Sequence, residues 1–266
     1  MTNDGRVTEP LHRAKLGGLT VYVFADAEAA STAAARAAGL ILSSASRRLA
    51  QGVLVAAAPS QTRMLAGLAK DSAVDWRNLT IFQLDEYVGL PVGHPRSFGT
   101  FITENLADCV PYVLFERMDG SADPDAERHR YGLLTASRPI ALACLGIGEN
   151  GHLAFNEPET ADFSSLERCT LVRLGDMSRA QQVHDGTFGS IDEVPSHALT
   201  LTIPVLMSAA HVVVTVLGSR KRDAVRHTLF GPIDTSCPAS ILRRHRDAAL
   251  FMDLGAWGDT AGSGDT

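Results

Sequence analysis

Six apolar runs of strand length, at residues 19–24, 53–58, 79–83, 140–145, 211–217 and 248–253, punctuate the chain, and most of the intervals between them are long enough to hold a helix. A short apolar run bounded by turn-forming residues reads as a buried strand. Strands that alternate with helices pair in parallel, because a crossover of a dozen or more residues is needed to start the next strand in the same direction. The pattern therefore predicts an α/β protein, a single-domain three-layer Rossmann-like fold with a mainly parallel central sheet. With 266 residues the chain suits one large domain better than two small ones. The pattern spans residues 18–253. Residues 1–17 carry little of it and are expected to form a loosely attached arm, and residues 254–266, rich in Gly, Ser, Thr and Asp, a disordered tail.

Composition removes several function classes. The chain has 24 basic and 30 acidic residues and a net charge of -6, which favours neither nucleic acid nor an anionic membrane surface as a partner. The longest basic stretch, Arg243-Arg244-His245-Arg246, lacks the aromatics that would stack bases. No apolar run approaches the roughly 20 residues that span a bilayer, and the first nine residues lack the pattern of a signal peptide. Cys109, Cys144, Cys169 and Cys237 lie far apart with no metal-ligand spacing, as expected of reduced thiols in a cytoplasmic protein that needs no metal or other cofactor.

In an open α/β sheet ligands gather where strands end, so the residues after each run carry the functional signal. After the run at 140–145 comes Gly146-Ile147-Gly148-Glu149-Asn150-Gly151-His152-Leu153-Ala154-Phe155-Asn156-Glu157-Pro158. The glycine spacing matches neither a dinucleotide fingerprint nor a P-loop. A histidine beside a glycine turn is ordinarily structural. Here a carboxylate five residues on, Glu157, can accept from one ring nitrogen of His152 and fix its tautomer, leaving the other nitrogen to move a proton. After the run at 79–83 stand Asp85 and Glu86, which alternate to opposite sides if the strand continues, so at most one faces the cleft. An acid pair in a loop is usually solvated, yet after an apolar strand one carboxylate can lose water and gain basicity. Ser60, Gln61 and Thr62 follow the run at 53–58 at the start of a helix, where free amides attract anions, although Ser60 alone reads as an ordinary cap. Lys221, just beyond the run at 211–217, is an ordinary solvated lysine unless an anion lies beside it.

Two stretches carry a family resemblance. Gly-Ile-Gly-x-Asn-Gly-His-Leu-Ala-Phe-Asn-Glu-Pro, and Asp85-Glu86-Tyr87-Val88-Gly89-Leu90-Pro91 followed by His94-Pro95-x-Ser97-Phe98, resemble the signatures of the glucosamine-6-phosphate deaminase family, part of a superfamily that also holds the 6-phosphogluconolactonases. The resemblance spans residues 18 to 253 by order of motifs. It implies conversion of D-glucosamine 6-phosphate and water to fructose 6-phosphate and ammonia. It implies a catalytic set of Asp85, Asn150, His152 and Glu157, and substrate contacts from Ser60, Gln61, Thr62, Glu86, Gly151 and Lys221. The partner it implies is a small-molecule sugar phosphate, and it leaves a homo-oligomer open. Ala58-Pro59-Ser60-Gln61-Thr62 departs from the Gly/Thr-rich phosphate loop of deaminase relatives, and residues 181–186 read as a surface turn or partner-subunit segment with no counterpart of an allosteric arginine. Tyr87 stands where lactonase relatives have arginine, which favours the deaminase. Two alternatives remain at this stage: a 6-phosphogluconolactonase, and a non-catalytic sugar-phosphate sensor, which the lack of a basic patch or helix-turn-helix extension disfavours.

Overall fold

The structure is a computed structural model that describes residues 9–258. Eleven strands and eight helices are named among those residues, and each early unit follows from local sequence. Strand β1 (His12–Leu16) turns through Gly17-Gly18 into β2 (Leu19–Phe24). Helix α1 (Ala27–Ala45) starts where the Asp26 carboxylate accepts from the Ala29 amide at 2.8 Å, and it buries Ala30, Ala34 and Ala38 one turn apart, small enough to bring the helix close to the sheet. Strand β3 (Gln51–Val55), helix α2 (Thr62–Ala69), β4 (Leu79–Gln83), β5 (Asp85–Tyr87), α3 (Phe98–Asn105) and β6 (Leu114–Glu116) complete the first half.

The second half contains α4 (Pro124–Ala136), β7 (Ile140–Leu145), β8 (Cys169–Arg173), α5 (Asp176–His184), β9 (His197–Leu201) and α6 (Ile203–Met207). It ends with β10 (His211–Val216), α7 (Arg222–Phe230), β11 (Ala248–Asp253) and α8 (Leu254–Trp257). The main sheet has the order β1-β2-β11-β10-β7-β3-β4-β6, parallel throughout except for β1. Every residue of β3, β4 and β7 is buried, as a sheet covered on both faces requires. Along β7, Leu142 and Cys144 enter the core beneath α1 and α2, while Ala143 and Leu145 enter the core with α6 and α7 on the other face. The three-layer parallel architecture read from the sequence is the architecture observed.

From β3 the chain moves outward through β4 to β6. Then β7 returns to the other side of β3 and the order continues away through β10 and β11. That reversal between β3 and β7 opens a crevice at their carboxyl ends. The register places Val55 beside both Gln83 and Cys144, so the loops after β3, β4 and β7 leave the sheet side by side.

Three features depart from the sequence reading. Residues 12–16 are not a loose arm but the antiparallel edge strand β1, paired with β2 from His12↔Val23 to Leu16↔Leu19. The strand is exposed along most of its length, so it carries no apolar alternation to betray it, and Arg13 and Lys15 suit an unprotected sheet edge. The second feature is a three-stranded antiparallel sheet, order β5-β9-β8, outside the six apolar runs. Of the tail expected from 254 onward, Leu254–Trp257 form α8, held by the Asp253 carboxylate accepting from the Ala256 amide, and residues 259–266, like residues 1–8 of the arm, lie outside the described residues.

Candidate active site

A cavity of about 350 Å³ occupies the crevice, walled by Ala57, Ala58 and Pro59 after β3, by Asp85 after β4, and by Gly146, Gly148 and His152 after β7. Phe98 and Phe155 form apolar wall, and Gln181 and Gln182 of α5 close the remaining side. Asp85 and His152, far apart in sequence, thus face one space.

The small sheet sets the first wall. Asp85 pairs with Thr200 of β9, and Leu201 donates its amide to the Leu84 carbonyl at 2.8 Å. Asp85 is 7% exposed, and no hydrogen bond to its carboxylate is found among the described residues. Burial, with Glu86 adding repulsion, holds its pKa well above the ordinary carboxylate value. Glu86 behaves oppositely. Its carboxylate accepts from the amides of Tyr87 (3.0 Å), Phe98 (3.2 Å) and Gly99 (3.0 Å) and from Gln83 Nε2 (3.1 Å), so it anchors the start of α3. Glu86, expected among the substrate contacts, is not part of the cavity wall: strand alternation turns it away, and four donors occupy its oxygens. Burial raises its pKa and those bonds oppose the rise.

Glycine geometry sets the second wall. A Cβ on Gly148 would lie 2.1 Å from the His152 ring, so only glycine lets the imidazole rest on that backbone. Gly151 has φ +85° and faces Cys237, so it shapes the turn. His152 Nδ1 lies 2.7 Å from Asn150 Oδ1. That oxygen can only accept, so Nδ1 carries the proton and Nε2 keeps its lone pair. The Glu157 carboxylate does not meet the ring as the sequence had suggested; it accepts from the Gly175 amide at 3.0 Å, and the side chains of Ser178 and Asn150 lie close enough to favour its charged form. Asn150 and Ser178, whose Oγ lies 3.2 Å from Nδ1 as a second brace, stand between the Glu157 carboxylate and the imidazole. Burial, aided by repulsion from Lys221, lowers the His152 pKa to about 3, so the ring is neutral near pH 7.

Of the residues expected at the phosphate, Ser60, Gln61 and Thr62 stand one step behind the wall made by Ala57–Pro59. Gln61 is fully buried: its Nε2 donates to the Thr215 carbonyl at 3.2 Å and its Oε1 has no partner among the described residues. Helix α2 starts without a side-chain cap, because the turn at Pro59–Gln61 runs straight into it: the Thr62 amide donates to the Pro59 carbonyl and the Gln61 amide to the Ala58 carbonyl at 2.8 Å. Lys221 is half-buried, its pKa lowered by burial and supported by Asp185 and Glu149. It lies off the cavity wall but close enough to His152 to repel its protonated form.

The segment at 181–186 is no surface turn. Residues 176–184 form α5, which contributes Ser178 to the histidine brace, Gln181 Oε1 to the Glu149 amide at 3.0 Å, and Gln182 to the cavity. Ser178, Gln181, Gln182 and Asp185 recur at i, i+3, i+4 and i+7, a polar stripe at helical spacing that was available in the sequence and reads as solvent-facing unless the helix is known to lie over a cleft. Arg96 was also passed over; it reaches the cavity rim, pairs with Glu193 at 2.5 Å and lies over the Phe188 ring at 5.1 Å. Tyr87, which separated deaminase from lactonase in the sequence, is fully buried between Phe98, Phe155 and Phe188 and supports the wall from behind. Among the described residues no group of three His, Cys, Asp or Glu could hold a metal ion, and no helix is long and apolar enough to cross a membrane.

Comparison with known proteins agrees with this topography. The chain is 39% identical over 181 residues to a glucosamine-6-phosphate deaminase of Exiguobacterium sibiricum, covering 68% of this chain and 70% of the relative. A solved monomeric glucosamine-6-phosphate deaminase superposes with a TM-score of 0.80 at 29% identity, over 89% of this chain and 98% of that one. A 6-phosphogluconolactonase of Trypanosoma brucei shares the fold at a TM-score of 0.72 and 18% identity, over 90% and 98% of the two chains. The profile of the family described as glucosamine-6-phosphate isomerases/6-phosphogluconolactonase matches residues 25–251, so the chain belongs to that family.

Proposed function

We propose that the protein is a glucosamine-6-phosphate deaminase, converting D-glucosamine 6-phosphate and water to D-fructose 6-phosphate and ammonia. The observation that carries this is the shared cavity of Asp85 and His152 at the sheet's carboxyl edge, in a chain whose curated relatives bear that name. His152 Nε2, neutral and unprotonated, takes the proton of the sugar's C1 hydroxyl and delivers it to the ring oxygen, opening the pyranose. Asn150, Glu157 and Ser178 hold the tautomer. Asp85 then removes the C2 proton and returns it to C1 through an enolamine, and water releases ammonia from the resulting ketose imine. A carboxylate shed of water and of hydrogen-bond donors is a stronger base than an ordinary aspartate, which suits it to a carbon acid.

The 6-phosphate would meet the Ser60–Thr62 turn that leads into α2, together with Lys221. No redox or metal step enters this scheme. The lactonase relatives share the fold at below 20% identity and lend the alternative less weight. Measuring ammonia and fructose 6-phosphate from glucosamine 6-phosphate, beside hydrolysis of 6-phosphogluconolactone, tests the reading; turnover of the lactone alone would refute it. We place the enzyme in the cytoplasm, a location supported by four free cysteines of which three are buried, and recovery in a membrane or exported fraction would count against this.

A further inference from the structure

At the opposite end of β7 from the cleft, a second opening of about 510 Å³ gathers Arg138, Arg168 and Arg246 with the hydroxyl residues Thr135, Ser137 and Ser208. Ile140 borders this opening and Gly146 borders the cleft, so a six-residue strand, about 20 Å, separates the two. The three guanidinium groups have no carboxylate partner among the described residues. Arg168 donates to the Thr135 carbonyl (3.2 Å) and hydroxyl (3.4 Å), and Arg138 to the hydroxyls of Ser137 and Thr80. The adjacent acids are engaged elsewhere, Glu167 by Arg128 at 3.4 Å and Asp247 by His211 at 2.7 Å.

One bland reading is that Arg168 only closes the carboxyl end of α4. That accounts for a few donors of one arginine, and the Phe82 ring 5.8 Å from the Arg138 guanidinium accounts for part of a second, but neither explains why three cations without a carboxylate partner among the described residues converge in a chain of net charge -6. Burial disfavours the charge on Arg168, so the fold keeps a cation where desolvation works against it.

We propose that this cavity is a second ligand site, separate from the cleft, that takes a small phosphate dianion, either the free ion or a phosphomonoester. Guanidinium groups meet phosphate oxygens through paired, charge-assisted bonds, and the serine and threonine hydroxyls can serve the remaining oxygens. A concave opening with three cations in an acidic protein suits a small ligand and not a nucleic-acid backbone. The site does not depend on the deaminase reading.

The test is calorimetric titration of the full chain in the Lys221→Ala background, which weakens anion binding at the cleft, with inorganic phosphate and glucose 6-phosphate in separate arms. We expect saturable binding in at least one arm, the stronger arm telling whether the bare ion or the ester is preferred. Arg246→Ala should weaken it about tenfold, the loss of one charge-assisted contact. Arg246 is exposed and makes no hydrogen bond or ion pair among the described residues, so this change leaves folding intact. Arg168→Gln combined with Arg246→Ala should abolish it. Binding that both arginine variants leave unchanged, or no binding by the Lys221→Ala chain in either arm, would overturn the proposal.

Discussion

The two walls of the cleft solve opposite problems. Around Asp85 the protein withholds hydrogen bonds: the carboxylate is buried beside a second acid and its charged form is disfavoured. Around His152 it supplies them, with Asn150 and Ser178 on Nδ1 and Glu157 behind both. A proton acceptor that attacks carbon gains from being raw, whereas one that shuttles between oxygens gains from a fixed tautomer and a fixed direction. Glu86 is a control within the first wall. One residue away, it receives four donors and becomes part of the scaffold.

The sharpest way to break this contrast is Asp85→Asn, which removes the base while keeping shape. We expect kcat to fall by about 10²–10⁴-fold, measured as ammonia release, with folding unimpaired. The same variant tests the desolvation argument. A carboxyl whose folded pKa lies above its unfolded value costs stability as pH rises through the window between the two, so Asp85→Asn should melt above wild type at pH 7 and match it at acidic pH where both forms are neutral. Equal melting at pH 7 would mean the wall is not dry. His152 has the opposite sign. Its folded pKa of about 3 lies below the unfolded value, so the stability tied to its neutral form is complete above about pH 6.5 and is lost as pH falls toward 3.

His152→Gln should lower kcat by about 10²-fold, since ring opening can still occur slowly in water. Ser178→Ala should cost less, about tenfold or below in kcat with little change in KM, because Asn150 still holds Nδ1. A loss as large as that of His152→Gln would make the serine the main brace. In the pH profile, kcat/KM should climb with pH through an acid limb set above the ordinary carboxylate range, as ionised Asp85 accumulates, and Ser178→Ala should leave that limb in place. The smallest kinetic effect is expected from Glu86→Ala. It strands buried amides at the start of α3 and should cost at least about 1–3 kcal/mol of stability, read by denaturant melting, with activity per folded molecule nearly retained.

The parallel sheet was legible because its strands are buried on both faces: runs such as 140–145 have no polar residue to confuse the pattern. The glycine-histidine loop was legible because Gly148 and Gly151 are demanded by close packing, and such demands are written in residue type. Strand β1 and helix α5 were not. Each carries polar residues toward a surface whose nature depends on a partner, solvent for β1 and the cleft for α5. The same polar stripe of Ser178, Gln181 and Gln182 would serve either setting.

What the sequence determined by itself was the run of buried parallel strands with helices between them and the presence of proton-moving side chains at strand ends, since both follow from short-range periodicity and residue chemistry. Only the tertiary structure decided which of two neighbouring acids faces the cavity, what stands between Glu157 and His152, and that α5 completes the wall. Those depend on pairings across distant segments, such as Asp85 with Thr200 and His152 with Ser178, and on the water they exclude, which no local pattern encodes.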